Sequence, residues 1–586
     1  MNLHTIDLAL IFGYLVLVAV IGFAIKKKAT QQLDSYYLAG RNVPWWMLGL
    51  AGCSSYIDIG GTMAMVGALY YLGLKAIWVT HIYWGWFMIC FYMAFQAKWI
   101  RRSGVMTFAE WNKTRFGDNR DAEKARLAAA IFLLALMLFN LTYIAVGIGK
   151  FAEEFLPLPR WVATLIVFAA VGIYVTLAGF FGVIITDMLQ TLLIAVGAVI
   201  LTVLVFVNTT GAGLLARQEA GWGSLGLSWK LWPSYLQTTP DSYHHFYLFG
   251  PLLVAGFSWV IFRILAGPNV WDFQFFLTAR SSRDAALAGG MWTVGYTLRW
   301  ILGCAFLMLG IYFLGAQAGF DAEKIMPQVL LNLPVGVRGL FLAVLLAALM
   351  STLDAMINVT SSVVVNDFLK RYFLKTASEK RLVRLGQLAS VAALLLGFVS
   401  SMLFVDIISA WETMIFVVVT MILVPATFRW HWWRFSAKAF VWSLCASAGV
   451  VLLQKVFFPA GSASTSLLAV ILGCLVVTII IGFLHKPTDK EILVTFYSRI
   501  RPFGVWGPIR RLAEERELVP KKDKMPLMDA LNGLLTAGFQ LSLALVPFYC
   551  FLRIWGQAAA WGAATVTLAV VLYFTWYKNL PSRDEG

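Results

Sequence analysis

Charge is what this 586-residue chain has least of: Asp, Glu, Lys and Arg together make only 13% of it, about half the roughly 25% of an ordinary soluble domain. A soluble globule needs a hydrated, charged skin, so soluble enzymes, nucleic-acid binders and disordered scaffolds are excluded. Acid is scarcer than base, 30 Asp+Glu against 46 Lys+Arg, for a net charge of +16. Cysteine is sparse as well. Cys53, Cys90, Cys304, Cys445, Cys474 and Cys550 lie in apolar stretches without paired spacing, and read as small buried hydrophobes rather than disulfides or metal ligands. Six histidines are scattered, and there is no HExxH, no GxSxG and no GxxxxGK[ST]. Those absences speak against a zinc hydrolase, a serine hydrolase and a nucleotide-driven machine.

What is present is apolar length. The chain is 60% hydrophobic with a mean hydropathy of +0.77, the signature of an all-α polytopic membrane protein. A spanning helix needs about 20 apolar residues. About fifteen such runs are expected, near 5–25, 44–70, 76–98, 127–149, 160–179, 182–207, 246–279, 289–315, 338–366, 386–407, 410–428, 437–457, 464–484, 529–553 and 556–577. The first is followed by Lys26, Lys27 and Lys28 and has no small-residue cleavage site, which predicts a retained helix and not a secretory signal. With the spans alternating, the basic clusters at Lys98 to Arg102, Arg280 and Arg283, Lys370 to Arg381, Arg429 and Arg434, and 486–524 all fall on one side. The positive-inside rule then predicts an outside N-terminus and a cytoplasmic C-terminus in a bacterial plasma membrane, the basic excess facing anionic lipid. The polar, aromatic-dotted segment 485–528 is expected to lie on the inner leaflet, apart from the catalytic or transport chemistry.

Two runs are interrupted. The second holds Cys53-Ser54-Ser55-Tyr56-Ile57-Asp58-Ile59-Gly60-Gly61-Thr62 and the seventh holds Ala266-Gly267-Pro268-Asn269, residues that break a helix or remove a backbone donor. Either alone reads as a kink of the kind membrane helices tolerate. They lie five spans apart, and paired breaks at matching places in two halves point to the mid-membrane site of a secondary transporter. In the ninth run Ser351, Asp354, Asn358, Ser361 and Ser362 share one helix face. A polar stripe with a carboxylate is costly in lipid unless it faces a cavity. Hydroxyls beside free carbonyls suit a small hard cation, although Ser and Thr also serve as interhelical glue.

These segments resemble the sodium/solute symporter family, which includes carriers of sugars, proline, sialic acid and vitamins. The resemblance rests on Asp34-Ser35-Tyr36-Tyr37-Leu38-Ala39-Gly40-Arg41 ahead of Pro44-Trp45-Trp46; on Ala178-Gly179-Phe180 with Gly182 to Gln190; on Leu333-Pro334, Gly339 and Ala348-Leu349-Met350-Ser351-Thr352-Leu353-Asp354; and, less specifically, on Gln274 to Arg280. It spans about residues 5–485. The stretches Arg429-Trp430-His431-Trp432-Trp433-Arg434 and Phe496 to Trp506 resemble a less characterised bacterial branch. The resemblance implies a five-plus-five inverted-repeat (LeuT-like) core with one extra N-terminal and about four extra C-terminal helices. It divides the chain into a first helix and linker (1–43), a first repeat (44–207), a loop (208–245), a second repeat (246–428), two helices (429–484), the basic segment (485–528) and a last helix pair (529–586).

The resemblance also implies Na+ held by carbonyls of Ser54, Ile57 and Ala348 and hydroxyls of Ser351 and Thr352. A second cation site would use Asp187, Ser351 and Asp354, but Ala355 lacks the hydroxyl that site expects. Asp187 reads equally well as a structural anion paired with a basic neighbour. The solute would sit between the broken helices, near Tyr56, Asp58, Gly61, Thr80, His81, Tyr83, Arg263, Tyr296, Arg299 and Glu412. The sugar carriers' amide near Gly61 and carboxylate near Thr80 are missing, which excludes a close copy of the galactose site; the proline-carrier pattern is not matched either. Two arginines could grip a carboxylate solute. Arg263 paired with Asp58 would instead leave a neutral pocket for a sugar or polyol. Arg299 has a structural ion pair as its simpler reading, and His81 that of a satisfied core histidine. The expected activity is sodium-coupled symport of a small organic solute, a sugar or polyol ahead of an organic anion or amino acid, with the bilayer as surroundings and no obligate protein partner. A sodium-dependent sensor without transport is the rival of another class. A channel is disfavoured by the paired breaks.

Overall fold

The computed structural model describes residues 3–29, 37–155, 158–215, 218–219, 221–267, 270–315, 321–414, 420–458, 463–521 and 524–581. Among these residues there is no strand, only two isolated bridges, Val43 with Ala279 and Trp432 with Val505. Ten helices are long and apolar enough to cross a membrane, or eleven if Asp241–Tyr247 and Phe249–Leu265, bent by 87°, form one span. About fifteen apolar runs are read from the sequence. Part of the difference is breakage: Trp45–Ser54 has 10 residues, below spanning length, before the chain stops and restarts at Ile59. The run expected at 410–428 is described only as Ile407–Met414 and Thr420–His431, residues 415–419 lying outside the described residues. Apolar length reports burial in lipid but not where the backbone stops.

After Thr5–Ala29, ten core helices follow. Core helix 1 is Trp45–Ser54 and Ile59–Leu72. Core helix 2 runs from Ala76–Trp78 to Ala97–Ser103, with wider-wound π segments at Val79–Tyr83 and Tyr92–Gln96. Core helix 3 is Arg120–Ala152, and core helices 4 and 5 form one helical run, Arg160–Asn208. Core helix 6 is Phe249–Leu265 and Val270–Thr278; of the expected break, Pro268 and Asn269 lie outside the described residues. Core helix 7 is Ser282–Gly295 and Thr297–Leu314, core helix 8 is Val337–Ser362 continued by Val363–Phe373, core helix 9 is Glu379–Ser401, and core helix 10 is Ile407–Met414 and Thr420–His431.

Core helix 3 is a strut held at both ends. Asn119 caps its start by accepting from Ala122 N at 2.9 Å. One turn later Arg126 Nε donates to Asp367 Oδ1 of core helix 8 at 2.7 Å. Near the other end Lys150 Nζ meets Glu323 at 2.7 Å and Asp321 at 2.8 Å, on the turn Ala322–Lys324 and just before it. Buried pairs of this kind hold position more than they add stability.

The segment expected on the leaflet surface is packed against the protein. Its helices Lys490–Ile500 and Gly507–Glu515 bury Phe496, Tyr497, Ile500 and Trp506. Arg115 explains this. Its guanidinium, fully buried, donates to the carbonyls of Arg429, Trp432, Trp433 and Phe435 at the end of core helix 10, where helix-end carbonyls carry partial negative charge. Phe496 and Trp506 cover it at 5.4 and 5.0 Å. A sequence rich in both base and aromatics fits an interface as well as a membrane surface, and here it forms a strap under core helices 2 and 10. The last pair, Met525–Phe551 and Trp555–Thr575, docks on core helix 2: Lys98 pairs with Asp529, and Trp576 Nε1 donates to Met93 O at 2.9 Å.

Candidate functional site

Core helix 1 ends at Ser54 and restarts at Ile59 because Asp58 caps the second half. Asp58 Oδ1 accepts from Gly61 N at 2.5 Å and its carbonyl accepts from Thr62 Oγ1 at 2.6 Å. Tyr143 of core helix 3 donates to Asp58 Oδ2 at 3.2 Å, and Arg299 Nη2 of core helix 7 lies 3.7 Å from Oδ1. Arg299 also donates to the carbonyl of Tyr56, inside the break, and its guanidinium lies 3.9 Å above the Trp86 ring. Gly61 makes the cluster fit. A Cβ there would stand 2.2 Å from Arg299 Nη2, 2.5 Å from Asp58 Oδ1 and 2.7 Å from the Tyr143 hydroxyl.

The two breaks are tied together. Tyr56 in the first donates to Asp272 Oδ2 in the restarted half of core helix 6, and Tyr92 donates to the same oxygen at 2.7 Å. Between the breaks is a cavity walled by Tyr56, Trp84, Trp86, Tyr143, Trp271 and Trp411, with Ser55, Asp58, Asn140, Arg263, Arg299 and Thr352 as its polar groups. Its free volume is about 70 Å³, room for roughly two waters and well below the roughly 300 Å³ of a small-ligand site. A solute therefore needs the walls to part.

Of the residues expected near the solute, Tyr56, Asp58, Gly61, Arg263 and Arg299 line this cavity, while Thr80, His81, Tyr83 and Tyr296 do not. The His81 ring stacks on Trp300 at 5.5 Å, and its Nδ1 lies 2.9 Å from Ile77 O. Thr80 Oγ1 donates to the same carbonyl at 3.0 Å. Tyr83 packs edge-on against Phe246, and Tyr296 stands edge-on behind Trp86 at 5.6 Å. The Glu412 side chain lies outside the described residues. The pairing foreseen between Arg263 and Asp58 is made by Arg299 instead. Among the described residues Arg263 makes no ion pair; its guanidinium faces the Trp259 ring at 5.8 Å, and its Nε has no hydrogen-bond partner.

The residues expected around sodium converge on the first break. Ser351 Oγ is 2.8 Å from Ser54 Oγ. Thr352 Oγ1 lies 3.2 Å from both Ser55 O and Ala348 O. Ser54 O accepts from Ile57 N at 2.9 Å. Each of these carbonyls retains a second lone pair, so hydroxyls and carbonyls of hard-cation type face one another. Ile57 is itself buried in the turn. Next to them Asp187 and Asp354, both fully buried, lie within electrostatic reach of each other. Among the described residues Asp187 makes no ion pair with a basic neighbour, and its carboxylate interacts with the Ser351 hydroxyl. Ala355, the next residue after Asp354, is buried and brings no hydroxyl.

Sequence reasoning missed the aromatic walls and Asp272. Trp84 and Trp86 sit where core helix 2 is interrupted around Gly85, whose φ is +75°. That interruption has no proline to mark it. Asp272 did have a signal, as a lone acid in an apolar run.

Two broken helices around a small aromatic-walled cavity, flanked by a hydroxyl-lined cation-type site, define a secondary transporter. The chain belongs to the sodium:solute symporter family, whose model matches residues 36–446; it is a membrane transporter of a sodium-coupled family and not an enzyme. It is similar to the sodium/glucose cotransporter 4 of Danio rerio, 26% identical over 509 residues, 78% of this chain and 72% of the relative. It is also similar to the sodium/glucose cotransporter of Vibrio parahaemolyticus, 26% identical over 433 residues, 67% of this chain and 74% of the relative. The fold matches that of a Na+-coupled sialic acid symporter solved in a substrate-bound, outward-open state, with a TM-score of 0.64 at 18% identity over 83% of this chain and 99% of that one. The five-plus-five core is thus the architecture of this protein.

Proposed function

We propose that the protein imports a neutral, hydroxylated solute, a sugar or polyol, together with Na+, by alternating access from a membrane in which its N-terminus is outside and its C-terminus cytoplasmic. The observation that carries the solute class is the pairing of Arg299 with Asp58 inside a cavity walled by aromatic rings. These two charges cancel each other, and beside the Arg263 guanidinium the cavity offers rings for the apolar faces of a sugar and polar groups for its hydroxyls. The sodium/glucose cotransporters named above support the same class.

Sodium binds between Ser54, Ile57, Ala348, Ser351 and Thr352, with Asp187 and Asp354 as ligands of a second cation. It steadies the first break and with it Tyr56 and Asp58, so the solute finds a formed site. Coupling is the difference in solute affinity with and without sodium, about 1–3 kcal/mol for linked sites. Release follows the buried polar stripe from Ser351 through Asn358 and Ser362 to Asn366, which opens on a cavity lined by Asn366, Arg126 and Lys370.

A second reading, transport of a carboxylate, is favoured by the unpaired guanidinium of Arg263. One experiment separates them: uptake into proteoliposomes of labelled sugars, polyols and carboxylates, with sodium or potassium outside. Sodium-driven accumulation of a neutral sugar or polyol that survives Arg263→Gln supports the proposal. Accumulation of carboxylates alone, lost in that variant, replaces it with the second reading, and sodium binding without uptake of any of them points to a sensor.

A further inference from the structure

His431, at the end of core helix 10, is held between two carbonyl oxygens. Its Nδ1 lies 2.8 Å from Phe503 O in the strap and its Nε2 lies 3.0 Å from Leu265 O, the last residue before the break in core helix 6. A neutral imidazole has one N–H and one lone pair, and a carbonyl can only accept. With both nitrogens at hydrogen-bond distance from acceptors, only the imidazolium satisfies both contacts. In the neutral ring, one nitrogen lone pair faces a carbonyl lone pair.

The surroundings are built for the contact. The strap is bonded to the same segment three more times: Val505 N to His431 O at 2.7 Å, Trp433 N to Val505 O at 3.2 Å, and Trp506 Nε1 to Trp430 O at 3.1 Å. Gly504, at φ +121°, admits that approach, since a Cβ there would lie 2.5 Å from His431 O. The neighbouring carbonyl in core helix 6, Ile264 O, accepts from Gln96. The His431 ring itself is covered by Phe503 at 4.7 Å and Trp99 at 5.8 Å.

We infer that His431 is a proton-operated clasp on the solute site: as an imidazolium it ties the break in core helix 6 to the strap by two donated hydrogen bonds, and as a neutral ring it gives up one of them. Leu265, so held, lies two residues after Arg263 on the cavity wall, so His431 is a positioning residue for the solute. Half of the device lies outside the family match, which ends at residue 446. The charged groups on the elements around it are Arg429 and Arg434 on its own segment, Lys98 (paired with Asp529) and Arg102 on core helix 2, Arg115 on the short helix Trp111–Phe116, Arg499 on the strap, and Arg263 with Asp272 on core helix 6. Among the described residues none of the carboxylates pairs with His431. The cations and the covering rings oppose protonation while the two carbonyls favour it. The direction follows from the geometry: the clasp closes as pH falls and the ring gains its second proton, and opens as pH rises.

The test is nitrogen NMR of the full chain labelled with 15N-histidine in nanodiscs, from about pH 5 to about pH 8.5. One of the six histidines, absent from His431→Gln, should carry protons on both nitrogens at the acid end and lose one as pH rises. A ring that is a neutral tautomer across the range overturns the inference, as does one that stays doubly protonated throughout. Amide exchange of the peptide ending at Leu265 and Ala266 gives a second reading in the unmodified protein. Corrected for intrinsic rates, it should rise about tenfold across the same range, the scale of one charge-assisted hydrogen bond. Exchange that does not change with pH contradicts the clasp even if His431→Gln fails to fold.

Discussion

Tyr56 and Asp272 join the two helix breaks: the phenol of the first break donates to the carboxylate of the second, which also accepts from Tyr92. The two broken helices are thus one mechanical unit as well as two walls of a cavity. Tyr56→Phe removes the cross-link and keeps the ring on the cavity wall. It should lower the unfolding temperature modestly, on the order of 1–3 kcal/mol for a hydrogen bond to a charged group, and reduce uptake far more than that loss explains. Calorimetry beside initial uptake rates checks this; equal, small effects on both would mean that the link is only structural.

Arg299 and Asp58 should show strong non-additivity. Arg299→Gln leaves a buried carboxylate, whose capping role at Gly61 and contact with Tyr143 keep it in place. The expected cost is about 3–5 kcal/mol. Asp58→Asn preserves the cap, because Asn is as good an N-cap as Asp, and added to Arg299→Gln it should recover most of the stability. Thermal unfolding of the two single variants and the double provides the cycle. Additive losses would mean the pair does not interact across its 3.7 Å.

Ser351→Ala with Thr352→Ala removes the two hydroxyls at the first break. Sodium should stabilise the unmodified chain increasingly as its concentration rises past half-saturation, and the variant should need at least about tenfold more sodium for the same shift, the effect of roughly 1.4 kcal/mol at an ion site. Unfolding temperatures in sodium against potassium measure this without knowledge of the solute. An unchanged sodium response would move the cation elsewhere, with Asp187 and Asp354 next in line.

The breaks and the hydroxyl pair were legible in the sequence because their chemistry is rare in lipid. Glycine, proline and carboxylates stand out against a 60% hydrophobic background. Trp84, Trp86, Trp271 and Trp411 did not stand out, since 24 tryptophans are spread along the chain and spacing cannot tell a ring that faces a cavity from one that faces lipid. Thr80, His81 and Tyr83 were drawn toward the solute by their place on core helix 2, but the π segment Val79–Tyr83 shifts which residues face inward. The packing of the strap was hidden for a related reason. Base with aromatics suits a leaflet, and only the carbonyls gathered by Arg115 show that it suits a protein surface too.

The last helix pair should depend on Lys98 and Asp529, whose side chains are 5% and 4% exposed. The pair joins core helix 2 to the helix Met525–Phe551, beside Gly533, where a Cβ would collide with Phe91 at 2.6 Å. Removing either charge alone leaves the other buried, at an expected cost of about 3–5 kcal/mol. Replacing both, with Lys98→Met and Asp529→Leu, should restore stability to near the starting value, because packed apolar groups replace buried ion pairs at little net cost. Cysteines at residues 93 and 576, where Trp576 now donates to Met93 O, report docking through cross-linking in a background lacking the six native cysteines. If the double replacement folds and transports but no longer cross-links, the charges serve to align this pair of helices against core helix 2. If it cross-links as before, packing alone holds the pair, and Lys98 with Asp529 is dispensable.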